Sequence, residues 1–255
     1  MNLRMTVVAT GVMALWLAGC SATGGASADG RVGAVLDVGK ALTVSEDELK
    51  NASLQLRAAD DKKARVAAGN NKYAQRLARL TRKHVNEDGL NLNFKVYLTP
   101  QINANATPDG SIRFYSGIMD MMTDDELRGI IGHEIGHVKL GHSMSQMRTA
   151  YMASAGRKAA ASSRGVGGAL AASELGELGE AVINSQFSQS QETSSDDYGL
   201  AFMKKHGYNV KAMESAFRKL AAASGGKKGG TMDNMLSTHP DPGARADRMR
   251  DMANK

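Results

Sequence analysis

Two histidines four residues apart with a glutamate directly after the first, His133-Glu134-Ile135-Gly136-His137, are the densest chemistry in the chain. On an α-helix this i, i+4 spacing puts both imidazoles on one face, one turn apart, where they can share a metal ion. Glu134 then lies beside them, within reach of a water that the metal activates. Just upstream, Thr123-Asp124-Asp125-Glu126 is a capping box, so a helix is predicted to open there and carry the pair. The chemistry implied is metal-assisted hydrolysis with Glu134 as the general base.

A catalytic zinc takes three protein ligands and keeps one position open, so a third ligand is needed. His142 is a poor choice. It follows His137 by five residues, a rotation of about 140° around a continuing helix, and reads as a helix-end residue. Glu174, Glu177 and Glu180 are candidates by position, but their i, i+3, i+6 spacing reads as one solvated stripe.

The segment Ser188-Gln189-Ser190-Gln191-Glu192-Thr193-Ser194-Ser195-Asp196-Asp197-Tyr198-Gly199 resembles the E-x-x-x-D helix of the HtpX-like gluzincin metallopeptidases. Asn103-Ala104-Asn105-Ala106, Gly110 to Gly117, Met119 to His137, Gly207-Tyr208 and Thr238-His239-Pro240 with Arg245 follow in that family's order, which covers nearly all of the chain after residue 70. Among members it is most similar to the small outer-membrane lipoproteins of the BepA and LoiP type. The resemblance implies Glu192 as the third ligand of one Zn²⁺ per chain and Asp196 as the group behind the ligands. Since Glu192 and Asp196 share a helix face, Asp196 can accept the N–H of a ligating imidazole and fix its tautomer. His239 and Arg245 stand where the family places polar groups near the metal, which makes them candidates for stabilising the oxyanion. His239 has a second possible role. It follows a Gly-rich approach, Gly225 to Thr238, and an imidazole there could enter the open position and silence the site. The chain departs from the usual family pattern at Ser194-Ser195, where members have Glu-Ala, and at Asn105, where an aromatic is usual.

The elements that must position these groups are mostly helical. Helices are predicted from Ser45 to about Ala68, 71–85, 124–141, 144–162, 168–186, 188–206 and 210–223, with a last one capped by Asp241 and started by Pro242. Two alternating stretches, Asn93 to Leu98 and Ser111 to Ser116, read as strands, the second entered by the turn Pro108-Asp109-Gly110. The expected fold is an α+β, predominantly helical zincin-type metallopeptidase domain with a small β-sheet over the H-E-x-x-H helix. Substrates are expected to bind extended at the sheet edge near Asn103, Ala104, Asn105 and Ala106, where main-chain hydrogen bonds give affinity without sequence preference.

The first residues read as an export signal rather than fold. Arg4 precedes an uncharged, mostly apolar run from Thr6 to Gly19, too short for the ~20 residues of a spanning helix, and Leu17-Ala18-Gly19-Cys20 resembles the bacterial lipobox. Cys20 is the only cysteine, and lipidation would remove the hazard of one free thiol in an oxidising compartment. The expected organisation is a lipoprotein signal over 1–19, a lipid-anchored tether over 20–44, rich in Gly and Ser after Cys20, and a metallopeptidase domain over 45–255. Ser21 after the cysteine implies sorting to the outer membrane, on its periplasmic face.

Of the 255 residues 42% are hydrophobic and 23% charged, ordinary globular material. The net charge of +6 is interspersed rather than blocked, which argues against nucleic acid as a partner. Lys72, Arg76, Arg79, Arg82 and Lys83 make the one basic helix face, open to solvent or to an acidic surface. The partners that the family resemblance and the lipobox imply are unfolded or misassembled envelope proteins as substrates, the membrane through the lipid anchor, and the outer-membrane assembly machinery. A peptidase of cell-wall crosslinks and a non-proteolytic assembly factor are the rival readings; the intact Glu134 argues against the latter, because a structural metal site needs no base.

Overall fold

Three capping boxes, at Ser45 with Glu48, Thr123 with Glu126 and Ser188 with Gln191, open three of the helices in a computed structural model that describes residues 44–161, 172–224 and 230–253. In each, the cap hydroxyl accepts from the third helical N–H and the third side chain returns to the cap N–H, so two otherwise unpaired donors are satisfied. The helices are α1 (Glu46–Lys63), α2 (Lys72–Thr81), α3 (Ser116–Met121), α4 (Asp124–Lys139), α5 (His142–Ala161), α6 (Ala172–Ile183), α7 (Gln189–Lys205), α8 (Lys211–Ala223), α9 (Asp233–Thr238) and α10 (Pro242–Ala253). The strands are β1 (Asn93–Tyr97), β2 (Ala104–Ala106) and β3 (Ser111–Tyr115).

Sheet order is β1-β3-β2, with β1 parallel and β2 antiparallel to β3. The Pro108-Asp109-Gly110 turn closes the β2–β3 hairpin, with Gly110 at φ 85° and its N–H donating to the Thr107 carbonyl. A side chain there would strike the Asn91 carbonyl as well as adopt a left-handed backbone. Val96, Ile112, Phe114, Ala104 and Ala106 from the sheet are buried in one core with Leu127, Ile130, Ile131 and Ile135 of α4. A second, smaller core joins Leu49 and Leu56 of α1 to Met147 of α5 and to Leu178 and Val182 of α6.

Glycines set how closely α4 and α7 approach. A Cβ on Gly132 would sit 2.8 Å from the Phe202 ring and 3.0 Å from the Gly199 backbone, and one on Gly136 would sit 3.2 Å from the Ser195 Cα. Bare backbone on both helices is therefore what lets Glu192 and Asp196 of α7 reach the histidine face of α4.

Several boundaries differ from the sequence reading. The sheet has three strands rather than two, because β2 is too short for alternation to register. The first helix ends at Lys63 instead of near Gly69: the chain turns extended, Val66 bridges to Tyr97, and the Ala67 N–H donates to the Val96 carbonyl. That segment covers the outer edge of β1 and leaves β2 at the other edge. The six-residue helices α3 and α9 were not anticipated, and α9 replaces part of the approach expected to be flexible before His239. Nor is the basic face of α2 wholly solvated. Arg76 turns inward, with Nε 2.6 Å from the Asp124 carboxylate and its other nitrogens on the Met119 and Met122 carbonyls. Cys20 and the expected signal and tether to residue 43 lie outside the described residues.

Candidate metal centre

α4 presents His133 and His137 as expected, with Nε2 atoms 3.0 Å apart. Glu192, in the first turn of α7, brings Oε1 to 3.2 Å from His137 Nε2. His239, at the C-terminal end of α9, completes the group: its Nδ1 is 3.0 Å from Glu192 Oε1 and 3.3 Å from His133 Nε2. All four side chains are buried, and their donor atoms lie within 4.8 Å of one another. Donors about 2.0–2.1 Å from a tetrahedral metal are separated by roughly 3.3 Å, so this set fits such an ion. The donor types, imidazole and carboxylate, suit a divalent transition metal.

Glu134 is fully buried beside them, and neither carboxylate oxygen has a hydrogen-bond partner among the described residues. Its nearest cationic neighbour is His239 Nε2, 3.8 Å from Oε1. A buried orphan carboxylate is costly in a purely structural role. Burial raises its pKa above the ordinary carboxylate range, only partly countered by the charges of His239 and His133, and a raised pKa suits a group that must hold a proton for part of a cycle. Burial drives His137 well below its usual value and so keeps it neutral, as a ligand must be. For Glu192 burial pushes the other way, but His239, His133 and Arg245 outweigh it and hold the carboxylate ionised.

A supporting layer orients the ligands. Asp196 Oδ1 is 2.9 Å from His133 Nδ1, which fixes that ring with Nε2 toward the centre. Arg245 clamps two carboxylates of α7, with Nε and Nη2 donating to Asp196 at 2.9 and 2.6 Å and Nη1 2.5 Å from Glu192 Oε2. Its guanidinium lies over the Phe217 ring at 4.2 Å. All three of its nitrogens are thus engaged behind the ligands.

One residue of this layer escaped sequence reasoning, and a second, His142, was read there only as a helix-end residue. Phe187 stacks on His137 at 3.7 Å between centroids, and its N–H donates to the Thr238 carbonyl, tying the start of α7 to the His239 segment. Its place directly before the Ser188 cap, a common position for a packing hydrophobe, was the available signal. His142 is outside the donor group, at the first residue of α5, yet its Nδ1 is 3.2 Å from His137 Nδ1 and 3.1 Å from Ser195 Oγ. The rotation argument assumed one continuing helix, whereas the chain turns at Gly141 with φ 74° and brings His142 back. Ser194 and Ser195, the departures from the family pattern, both meet this imidazole. Glu177 and Glu180 are exposed and take no part; the side chain of Glu174 lies outside the described residues.

Asn105, Ala106 and Thr107 line the same narrow cleft as Phe187, Thr238 and His239, so the expected substrate strand borders the centre. One further His-Glu-His group exists among the described residues, His84, Glu87 and His206, but there the Lys205 ammonium, 2.6 Å away, already neutralises Glu87.

The sequence model described as peptidase family M48 matches residues 70–253. The chain is 36% identical over 246 residues to metalloprotease YcaL of Escherichia coli (strain K12), covering 96% of this chain and 95% of that protein. It is 38% identical over 252 residues to metalloprotease LoiP of the same organism, covering 98% and 97%. A beta-barrel assembly-enhancing protease of Yersinia pestis is 28% identical over 186 residues, 67% of this chain and 36% of that longer protein.

Proposed function

Because the chain belongs to peptidase family M48 and is a metalloendopeptidase, we propose that it is a zinc enzyme that degrades unfolded or misassembled proteins of the bacterial envelope. The observation that carries the chemistry is the convergence of His133, His137 and Glu192 donors beside the orphan carboxylate of Glu134. Those three residues would hold the zinc, which when bound supplies Lewis acidity toward a water and toward the scissile carbonyl. Glu134 takes the proton of the attacking water and returns it to the leaving amine. Asp196 and Arg245 keep His133 and Glu192 in register, so Arg245 acts by orientation rather than as the oxyanion donor expected of it. β2 offers its free edge to an extended chain, and such a substrate must first be unfolded.

The envelope setting rests on the lipobox-like Cys20 and on the name of one relative, which enhances β-barrel assembly. Among the described residues no helix is long and apolar enough to cross a membrane. Attachment would come from acyl chains on Cys20, of which two or more suffice for stable anchoring.

Two experiments test this reading. A protein substrate held folded by a bound ligand and the same protein unfolded are incubated with the purified enzyme; the unfolded form is expected to disappear at least tenfold faster, in a chelator-sensitive manner, and equal rates would remove the substrate class. Cell fractionation of Cys20→Ala is expected to show the protein soluble or held by an unprocessed signal. Should it partition with the outer membrane after normal processing, the anchor is wrong.

A further inference from the structure

Arg57, on α1, lies outside the segment matched by the family and outside the mechanism above. It is 2% exposed, a buried guanidinium facing the sheet from the helical layer. Its Nε lies 3.4 Å from Thr107 Oγ1, while Nη2 donates to Thr107 Oγ1 at 3.3 Å and to Asn105 Oδ1 at 2.8 Å. Nη1 has no hydrogen-bond partner among the described residues. The carboxylate beside Nη1 is that of Asp60, an i, i+3 neighbour whose Oδ2 is 3.9 Å away, a loose ion pair that is too long for a hydrogen bond. A buried charge with an unused donor is an expensive arrangement unless something arrives to complete it.

Planar geometry says where that something would sit. One hydrogen of Nη2 goes to Thr107 on the Nε side, so the other, directed at Asn105, lies on the end edge that Nη2 shares with Nη1. That edge therefore faces the Asn105 side of the cleft, which His239, Phe187 and Thr238 line as well. The position is reached by a chain lying along β2, because Asn105 is the middle residue of that strand. With Asn105 already on the Nη2 hydrogen of that edge, the donor left for an incoming group is Nη1, and a carboxylate oxygen accepts from a guanidinium more strongly than a carbonyl does.

On the reading of β2 as the substrate edge, we propose that Arg57, held by Asn105 and Thr107, is a specificity residue that receives a carboxylate of the substrate, either an Asp or Glu side chain or the chain's own C-terminus. Asn105 has a part in this. An aromatic side chain at that position would carry no oxygen to accept from Nη2, whereas the amide of Asn105 fixes the guanidinium. The enzyme would then prefer an acidic residue at one defined distance from the scissile bond and remain tolerant elsewhere.

The test uses the full mature protein loaded with zinc and a set of fluorogenic peptides in which Glu replaces Gln at each position around the cleaved bond, with the C-terminus amidated or free. One position is expected to show kcat/KM at least tenfold higher for Glu than for Gln, the scale of a charge-assisted hydrogen bond. In Arg57→Gln that ratio should fall to about one, in Arg57→Lys it should be partly kept, and in Arg57→Glu it should invert in favour of Lys. A purely structural Arg57 would change all rates together and leave the ratio alone. A preference seen only with free C-termini also supports the carboxylate site and assigns it to chain ends. Equal rates for Glu and Gln at every position and with either terminus in the wild type would overturn the proposal without needing any variant to fold, as would a ratio unchanged in Arg57→Gln. Chelator-sensitive cleavage of the Gln peptides by the wild type reports separately on the protease reading.

Discussion

Replacing Glu134 with glutamine is expected to lower kcat on an unfolded protein by about 10²–10⁴-fold while the chain keeps its metal. Glutamine has the same shape, so the packing around α4 is preserved, but it cannot accept a proton from water. The position is unusually clean for this substitution. Both carboxylate oxygens are buried without hydrogen bonds, so no structural contact is lost with the charge. Removing a buried, partly uncompensated carboxylate should leave stability unchanged or raise it. The metal donors are other residues, so metal content separates this variant from ligand variants that are inactive because they are empty. A variant that retains kcat within a few-fold would exclude Glu134 as the base.

Substituting His239 with alanine is expected to raise basal kcat/KM by about tenfold or more. In the structure His239 Nδ1 occupies the fourth corner of the donor group, 3.0 Å from Glu192 Oε1 and 3.3 Å from His133 Nε2, where water must sit during hydrolysis. Its other nitrogen, Nε2, is 3.8 Å from Glu134 Oε1, so the imidazole spans from the donor group to the base. The Thr238 carbonyl, bonded to the Phe187 N–H, holds this arrangement shut against the start of α7. On the proposed reading, a protease among folding proteins would gain restraint from such an occupant, and a substrate entering along β2 would displace it. The alternative role, oxyanion donor, predicts the opposite sign: a fall in kcat of something like 10²-fold with metal unchanged. Steady-state kinetics at saturating metal distinguish the two directly.

Much of the centre was legible because it is local. The His133 and His137 pair, the base between them and the caps that start their helix all lie within one stretch of sequence, where helical geometry fixes relative positions. Glu192 with Asp196 is equally local, but that α7 crosses α4 at all follows from tertiary packing, and resemblance had to supply it. The glycine ridge Gly132 and Gly136 was a sequence signal for that close approach which the reading did not use. The misses share a cause. β2, α3 and α9 are each six residues or fewer and are fixed by neighbours rather than by propensity or period. Arg245 was expected near the metal ligands, but only the structure shows Asp196 and Glu192 engaging its nitrogens. Asp241 does cap the last helix, its carboxylate accepting from the Ala244 N–H at 3.1 Å, although with a left-handed backbone that sequence alone does not reveal.

The central claim is that His133, His137 and Glu192 hold one zinc that Glu134 does not ligate, and metal analysis tests it most directly. Wild-type protein, Glu134→Gln and Glu192→Ala are purified side by side, and their metal is measured by mass spectrometry against protein concentration. The account predicts about one zinc per chain in the first two and a loss of at least tenfold in affinity in the third. Full zinc retained by Glu192→Ala, or none in the wild type after reconstitution, would contradict it.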